Sequence, residues 1–330
     1  MEKLWAHIAE RYPWTIDVVI KLKTITLPGF DGIAVFDVYR FFIAEIKANS
    51  LGTRSKAIAF SFFLALFPAL LFVVSLIPYI PYVNELDVNI MDFLRRVLPD
   101  KTIYDFVAGF LEPLLQDIAN NKRGGLLTGS FIMVMFLTSN GVMTLLSSFD
   151  KSYEHYQKRN AFQSRITAFK ITGLLVLLFI FSLGMVVVGQ DLFNYIIDSV
   201  GIENRFTHTL LDILRYVLVI LMFFFGISMI YYYGPATKKK YKFMSTGATV
   251  ATIMSLLVSF GFSYWVSNFN RLNVIFGSIG TIMLLMIWLN INAFILLIGY
   301  EINASIHYNT TLRTKELEVE EEAEAEKAVK

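Results

Sequence analysis

The chain has 330 residues, of which 55% are hydrophobic and 17% are charged, and its mean hydropathy is +0.56. Soluble domains carry about 25% charged residues, so this composition favours a membrane bundle over two soluble domains. The net charge of +2 is too small to indicate a polyanion-binding protein. Because there is no cysteine, disulfides, thiolate metal sites and cysteine nucleophiles are excluded.

Six apolar stretches have the length of a membrane-spanning helix, about 20 residues. They are too long and too continuous to be β-barrel strands, which alternate over about ten residues. Backbone groups must be hydrogen-bonded inside hydrocarbon, so we predict an all-α bundle of six transmembrane helices with amphipathic interfacial helices. The six-helix domain covers 57–305, and its predicted spans are 57–80, 125–147, 169–190, 213–234, 243–266 and 275–301.

Residues 1–56 precede the first span and contain "VFDVYRFFIAEIKA", which predicts an amphipathic helix at the interface or capping the bundle. Its apolar residues at helical spacing are Phe36, Tyr39, Phe42, Ile43 and Ile46. In the first span, Pro68 removes a backbone hydrogen bond and exposes the carbonyl of Leu64, which predicts a kink. Such a kink is either static or part of a gate.

The loop 81–124 is predicted to be external, and its apolar residues between 103 and 118 recur at helical spacing. In the second span, "LTSNGVMT" places Asn140 and Thr144 at membrane depth, where polar groups are costly. These residues are candidates either for bonds between helices or for a transport path. Asp150 is a candidate charged site where this span ends.

The fourth span begins near Arg215, which either pairs with Asp212 on the same helix face or meets an anionic lipid headgroup. It ends in "YYYGPATKKKYK", where tyrosines reach headgroup depth and Gly-Pro ends the helix. The short hairpin that follows cannot hold a folded RNA. Its lysines are predicted to contact anionic lipids, namely Lys238, Lys239, Lys240 and Lys242.

The fifth span carries a small residue at every fourth position, so that these residues share one helix face. Such a face predicts close helix packing, with a polar substrate groove as the alternative. The residues are Gly247, Ala251, Ser255, Ser259 and Ser263.

The sixth span contains "IWLNINAF", in which Asn290 and Asn292 point about 200° apart and therefore cannot share a face. We predict that one bonds a neighbouring helix, while the other faces a cavity or a second helix. Glu301 lies where this span ends and is predicted to form a structural ion pair. The acidic tail 306–330 is either a solvated helix or disordered, and no function is assigned to it.

Lysine and arginine concentrate before the first span, after the second and after the fourth, whereas the loops 191–212 and 267–274 carry only Arg205 and Arg271. The positive-inside rule therefore predicts that both termini are cytoplasmic.

Enzyme signals are nearly absent from the sequence. The four histidines are scattered, and HExxH, GxSxG, Walker and GxGxxG motifs are missing. A metal-dependent nuclease needs clustered carboxylates or histidines, and the densest acids here lie in the tail without histidine partners. We therefore expect no catalytic residues, no metal, no cofactor and no nucleic-acid partner.

Four segments resemble the YihY/BrkB family of bacterial inner-membrane proteins: "SKAIAFSFFLALFPALLFVV", "LLSSFDKSYEHYQKRNAFQSRITAF", "YYYGPATKKKYKFMSTGA" and "FGSIGTIMLLMIWLNINAFILLIGYEINA". The resemblance covers roughly residues 40 to 305. Phe276 and Tyr300 stand where the family usually has Tyr and Ala, and Asp150 stands where Asn is expected.

The resemblance implies a multi-pass inner-membrane protein with six spans and no established catalytic residue. The family's older label, ribonuclease BN, finds no support in these residues. The expected function is transport or flipping of a lipid-like or small envelope-related molecule, with membrane lipids as partners. The alternative is a membrane scaffold that does not transport. The sequence leaves substrate, direction and oligomeric state open.

Overall fold

A computed structural model describes the chain in residues 25–26, 29–48, 50–76, 104–105, 108–109, 112, 124–150, 159–187, 205–237, 240–269 and 278–329. The predicted external helix between 103 and 118 lies almost entirely outside these ranges. Within them the chain forms α-helices and no strand, which confirms the all-α prediction. The helices are α1 Val35–Ala48, α2 Leu51–Leu76, α3 Gly124–Asp150, α4 Ala161–Val187, α5 Arg205–Tyr233, α6 Thr246–Phe269 and α7 Ser278–Val329.

Five of these helices contain segments that are long and apolar enough to cross a membrane, and α5 contributes a shorter apolar segment, Val217–Tyr233. The prediction of a helical membrane bundle is thereby confirmed. The five longer segments are Leu51–Phe72, Leu127–Asp150, Ala161–Ser182, Thr246–Val266 and Ile279–Thr314.

The helices pack in a closed cycle. Each helix from α2 to α6 packs against the next one along the chain, and α7 packs against both α6 and α2. Helix α1 lies outside this cycle against α7, where Val38 is buried with Phe30, Ile33 and Ile306. Tyr39, the next residue of α1, is 53% exposed.

Several helices extend beyond the predicted spans. Helix α2 begins six residues earlier than predicted, α4 begins eight residues earlier, and α7 continues far past the predicted end at 301. The hydropathy of a segment marks where it enters hydrocarbon, whereas i to i−4 hydrogen bonding continues into water. Of the two alternatives for the tail, the structure has the helix, which is continuous with α7 to Val329.

Aromatic side chains from three helices meet in the core. The rings of Phe149 in α3 and Tyr300 in α7 are stacked with centroids 3.9 Å apart, and Tyr231 of α5 meets Phe149 edge-on. Each tyrosine hydroxyl donates to a backbone carbonyl of another helix, Tyr300 to Phe149 at 3.1 Å and Tyr231 to Leu296 at 2.7 Å. Buried tyrosine is stable here because its polar end is hydrogen-bonded.

Helices α6 and α7 approach so closely that only glycine fits between them. A Cβ atom on Gly247 would lie 2.0 Å from the carbonyl oxygen of Gly299, and one on Gly299 would lie 2.8 Å from the Cβ of Ala251. Asn303 accepts a hydrogen bond from the backbone N–H of Gly247 at 2.8 Å and donates one to Ser245 Oγ at 2.8 Å. Small residues thus allow backbone contact, and the amide satisfies the polar groups buried there.

Candidate functional site

An arginine, Arg165, lies at the contact between α3 and α4. Arg165 Nη1 donates a hydrogen bond to Asn140 Oδ1, and its guanidinium stacks on the rings of Phe136 and Phe169 at 4.8 and 4.9 Å from their centroids. Both rings are exposed, at 51% and 36%, on helices that cross the membrane. In the part of the chain that the structure describes, no carboxylate lies within salt-bridge distance of Arg165. We call Arg165, Asn140, Phe136 and Phe169 the arginine groove.

Arg165 lies within Ala161–Ser182, the segment of α4 that is long and apolar enough to cross a membrane. Asn140 lies ten residues before the end of α3, which corresponds to about 15 Å along the helix axis. Asn140 therefore lies inside Leu127–Asp150, the apolar segment of α3. A charged group within a membrane-crossing segment is costly unless it is paired, and it marks a functional site more often than a structural one.

A second group of cations lies where α3 and α5 end and α4 and α6 begin, which we call the basic end of the bundle. Arg159 donates to the backbone carbonyls of Gly234 at 2.6 Å, Pro235 at 2.9 Å and Tyr233 at 3.4 Å. These carbonyls follow the last turn of α5, where the helix dipole favours a cation. Arg159 therefore caps α5 from the segment just before α4.

Asp150 joins the same network from α3. Its carboxylate accepts a hydrogen bond from the backbone N–H of Ala236 and lies close enough to Arg159 for electrostatic attraction. Its Oδ1 is buried and has no hydrogen-bond partner among the residues described. The Asp150–Arg159 pair links the ends of α3 and α5 through one short segment of chain.

Two lysines at the basic end converge on one tyrosine ring. Lys170 Nζ lies 4.4 Å from the centroid of Tyr233, and Lys240 Nζ lies 5.0 Å from the same centroid and 5.1 Å from that of Tyr232. Partial burial, then repulsion from Lys170 and from Arg159, lowers the pKa of Lys240 below its ordinary value. Each cation gains from the negative face of the ring, but the two charges repel each other.

Most predicted polar residues make contacts between or within helices. Asn290 Oδ1 accepts a hydrogen bond from Ser55 Oγ of α2 at 2.9 Å, whereas Asn292 Nδ2 donates to the carbonyl of Trp288 on its own helix. Thr144 Oγ1 donates to the Asn140 carbonyl and lies 3.4 Å from Ser61 Oγ of α2. Asn140 alone among these residues contacts a charged side chain.

The small-residue face of α6 changes character along the helix. Gly247, Ala251 and Ser255 are buried, Ser259 accepts a hydrogen bond from Trp288 Nε1 at 3.2 Å, and Ser263 is exposed. The first part of this face packs on α7, as the contacts of Gly247 and Ala251 with Gly299 show.

The remaining predicted residues have separate positions. Pro68 is buried within α2, which continues unbroken from Leu51 to Leu76. Glu301 is fully buried, and Lys242 forms a salt bridge with Asp31. The Arg215 side chain and the residues Lys238 and Lys239 lie outside what the structure describes.

Arg159, Arg165 and Lys170 are not among the predicted site residues, because the sequence shows them only as positive charges that contribute to the orientation. The available signal was the position of Lys170 well inside an apolar segment and of Arg165 four residues after Ala161, where the apolar helix begins. Intramembrane cations that face another helix are rare enough to be examined individually.

Among the described residues, His, Asp and Glu do not form a group of three or more that could hold a metal ion.

Comparisons with known proteins agree on a membrane family. The sequence profile of the family described as virulence factor BrkB matches residues 42–324. A ribonuclease-like protein, YfkH, of Bacillus subtilis (strain 168) is 29% identical over 255 residues, covering 77% of this chain and 90% of its own length. A UPF0761 membrane protein of Psychromonas ingrahamii is 24% identical over 285 residues, covering 84% of this chain and 90% of its own. No solved structure matches the chain.

Proposed function

The chain belongs to the virulence factor BrkB family of membrane proteins, and we propose that it moves an anionic, lipid-like amphiphile across the bacterial inner membrane. The observation that carries this proposal is the position of Arg165 in the arginine groove. A half-buried guanidinium within the apolar segment of α4, beside two exposed apolar rings, offers a place for an anionic headgroup while acyl chains stay in lipid.

The geometry supports entry from the side rather than through a central pore. Phe136 and Phe169 flank the guanidinium and are exposed on the outer surface of α3 and α4. An amphiphile in the adjacent leaflet reaches this groove without leaving the membrane. Asn140 holds the guanidinium in place, so the site is present before the ligand arrives.

The basic end is cytoplasmic in this proposal, as are both termini. The support is the distribution of lysine and arginine, which are concentrated in the segments at this end. Because the chain has no cysteine, labelling of a single cysteine introduced beside Lys240 by an impermeant reagent checks the orientation.

The test is flux in reconstituted vesicles. We expect the full-length protein to accelerate the movement of a fluorescently labelled phosphatidylglycerol between leaflets more than that of a labelled phosphatidylcholine. Arg165→Gln should lower the rate at least tenfold, because the charge that attracts the headgroup is lost. Asn140→Ala should lower it less, because the guanidinium is retained but loses its acceptor.

Asn292→Ala is the matched control for Asn140→Ala, because that amide donates to a carbonyl of its own helix. Its rate should stay within twofold of the wild type. A wild-type rate equal to that of protein-free vesicles, or an undiminished rate in Arg165→Gln, would contradict the transport proposal.

The alternative is a scaffold that holds partners without moving lipid. One observation favours it: α7 continues as a helix to Val329, about 40 Å beyond Glu301 at 1.5 Å per residue. Lipid movement by the full-length protein above that of protein-free vesicles would count against this alternative. We propose no catalytic activity, and RNA cleavage that disappears in a point variant would overturn that part.

A further inference from the structure

The two lysines at the basic end belong to different parts of the chain and nevertheless share one ring. Lys170 is in the membrane-crossing segment of α4, whereas Lys240 is in the hairpin between α5 and α6. Their ammonium groups lie 4.4 and 5.0 Å from the centroid of Tyr233. The sum of these distances, about 9.4 Å, is the largest separation that the two nitrogens can have.

This arrangement has an excess of positive charge. The charged groups that act on Lys240 are Lys170 and Arg159, and both are cations. The nearby carboxylate, Asp150, interacts with Arg159 and with the backbone N–H of Ala236. Within the described ranges neither lysine has a carboxylate at salt-bridge distance, and both side chains are exposed.

We propose that Lys170 and Lys240 together bind a phosphate group beside the ring of Tyr233. A phosphate accepts charge-assisted hydrogen bonds of about 2.8 Å from several donors at once. One phosphate can bond both ammonium groups where their separation is shorter than the 9.4 Å limit. It also removes the repulsion that the two lysines experience in its absence.

The position favours a phosphate at the membrane surface. The ammonium group of Lys170 meets the ring of Tyr233, the last residue of α5. Lysines in membrane helices reach headgroup level, and tyrosines are enriched there. A phospholipid headgroup and a soluble phosphate share the chemistry that the site recognises.

The site formed by Lys170 and Lys240 differs from Lys242 in the same hairpin and from the arginine groove. Lys242 forms a salt bridge with Asp31, so its charge is already matched. Arg165 is on α4 but contacts α3, whereas Lys170 contacts α5. Phosphate binding at Lys170 and Lys240 is therefore independent of whether the protein moves an amphiphile.

The experiment measures lipid binding by native mass spectrometry of the detergent-purified full-length protein. Phosphatidylglycerol is the probe, and the double variant Lys170→Gln/Lys240→Gln is compared with the wild type. We expect the apparent affinity to fall at least tenfold. The matched control, Lys242→Gln/Arg313→Gln, removes the same charge from two residues that already have partners, Asp31 and the Gly32 carbonyl.

A second arm distinguishes the two sources of phosphate. Competition by inorganic phosphate at millimolar concentration in the wild type, absent in the double variant, identifies a soluble phosphate as a ligand of the site. Lysine-dependent binding of phosphatidylglycerol without such competition identifies the lipid headgroup. Both results support the site.

The proposal is overturned if the double variant, folded by circular dichroism, binds both probes as the wild type does. It is equally overturned if the control variant loses as much affinity, because the effect is then one of net charge. Neither result depends on the flux assay, so failure of the transport proposal and failure of this site are separate outcomes.

Discussion

Two helix pairs of the same cycle are held together in different ways. Between α6 and α7, glycines bring the backbones into contact, and Asn303 satisfies the polar groups that are buried there. Between α4 and α5, a Cβ atom added to Gly226 would lie an ordinary 3.5 Å from Leu175 and Leu178. The polar contacts are made by the long cationic side chains of Lys170 and of Arg159, just before α4.

The two pairs illustrate two ways in which helices associate in a membrane. Lipid offers no hydrophobic driving force between helices, so association depends on close packing or on polar bonds. Close packing at α6–α7 leaves no space for a ligand. Long side chains at α4–α5 leave cations accessible, which is a condition for binding an anion. Predictions for each pair therefore differ in size.

The largest expected effect is at the α6–α7 pair. Gly247→Ala places a Cβ atom 2.0 Å from the Gly299 carbonyl oxygen, so α6 and α7 must separate. Overpacking of this kind costs about 1–3 kcal/mol, and we expect the upper part of that range because the obstacle is backbone. Thermal unfolding in detergent measures the loss.

Gly261→Ala is the control for that substitution. Gly261 is on the same helix, and a Cβ atom there meets nothing within 4 Å. Its stability should be unchanged or slightly raised, since alanine favours the helix over glycine. Equal stability of the two variants would show that α6 and α7 can separate at no cost, contrary to the packing account.

Arg159→Gln should have a smaller effect, at the α4–α5 pair. The change removes a cation and its bonds to three carbonyls at the end of α5, and it leaves Asp150 without its attracting charge. Loss of such a cap costs about 1–2 kcal/mol. Arg313→Gln, which loses one bond to the exposed Gly32 carbonyl, should cost less than about 0.5 kcal/mol. A chemical unfolding titration compares the two variants. A larger loss of stability in Arg313→Gln than in Arg159→Gln would refute the capping role of Arg159.

The smallest effect is the pH dependence of Lys240→Gln. The pKa of Lys240 is lowered in the folded state, so its charge opposes folding at neutral pH. The variant should therefore be more stable than the wild type at pH 7, by less than about 0.5 kcal/mol, because exposed charges are screened. The wild type gains stability as pH rises from the lowered pKa toward the ordinary value of 10.5, so the difference should vanish there. Thermal melting curves at pH 7 and 10.5 test this prediction. A stability difference between the variant and the wild type that grows with pH would contradict a lowered pKa of Lys240.

Parts of both regions were predictable from the sequence. The small residues from Gly247 to Ser255 have the spacing of a packing face, and this part of α6 is buried. Asn140 was selected because polar residues are rare at membrane depth. Its partner Arg165 was not selected, because orientation rules count an arginine near a helix end as a topology signal and do not ask which helix it faces.

The sequence by itself determined that the chain is an all-α membrane protein and where its apolar helices lie. Helix formation and insertion depend on runs of apolar residues and on backbone hydrogen bonds within one segment, and both can be read locally. Only the tertiary structure decided which polar residues meet. Asn290 bonds Ser55 across 235 positions, Lys170 and Lys240 share Tyr233, and Lys242 pairs with Asp31. These contacts depend on helix rotation and on the order of helices in the cycle, which are set by packing between segments and have no local signature.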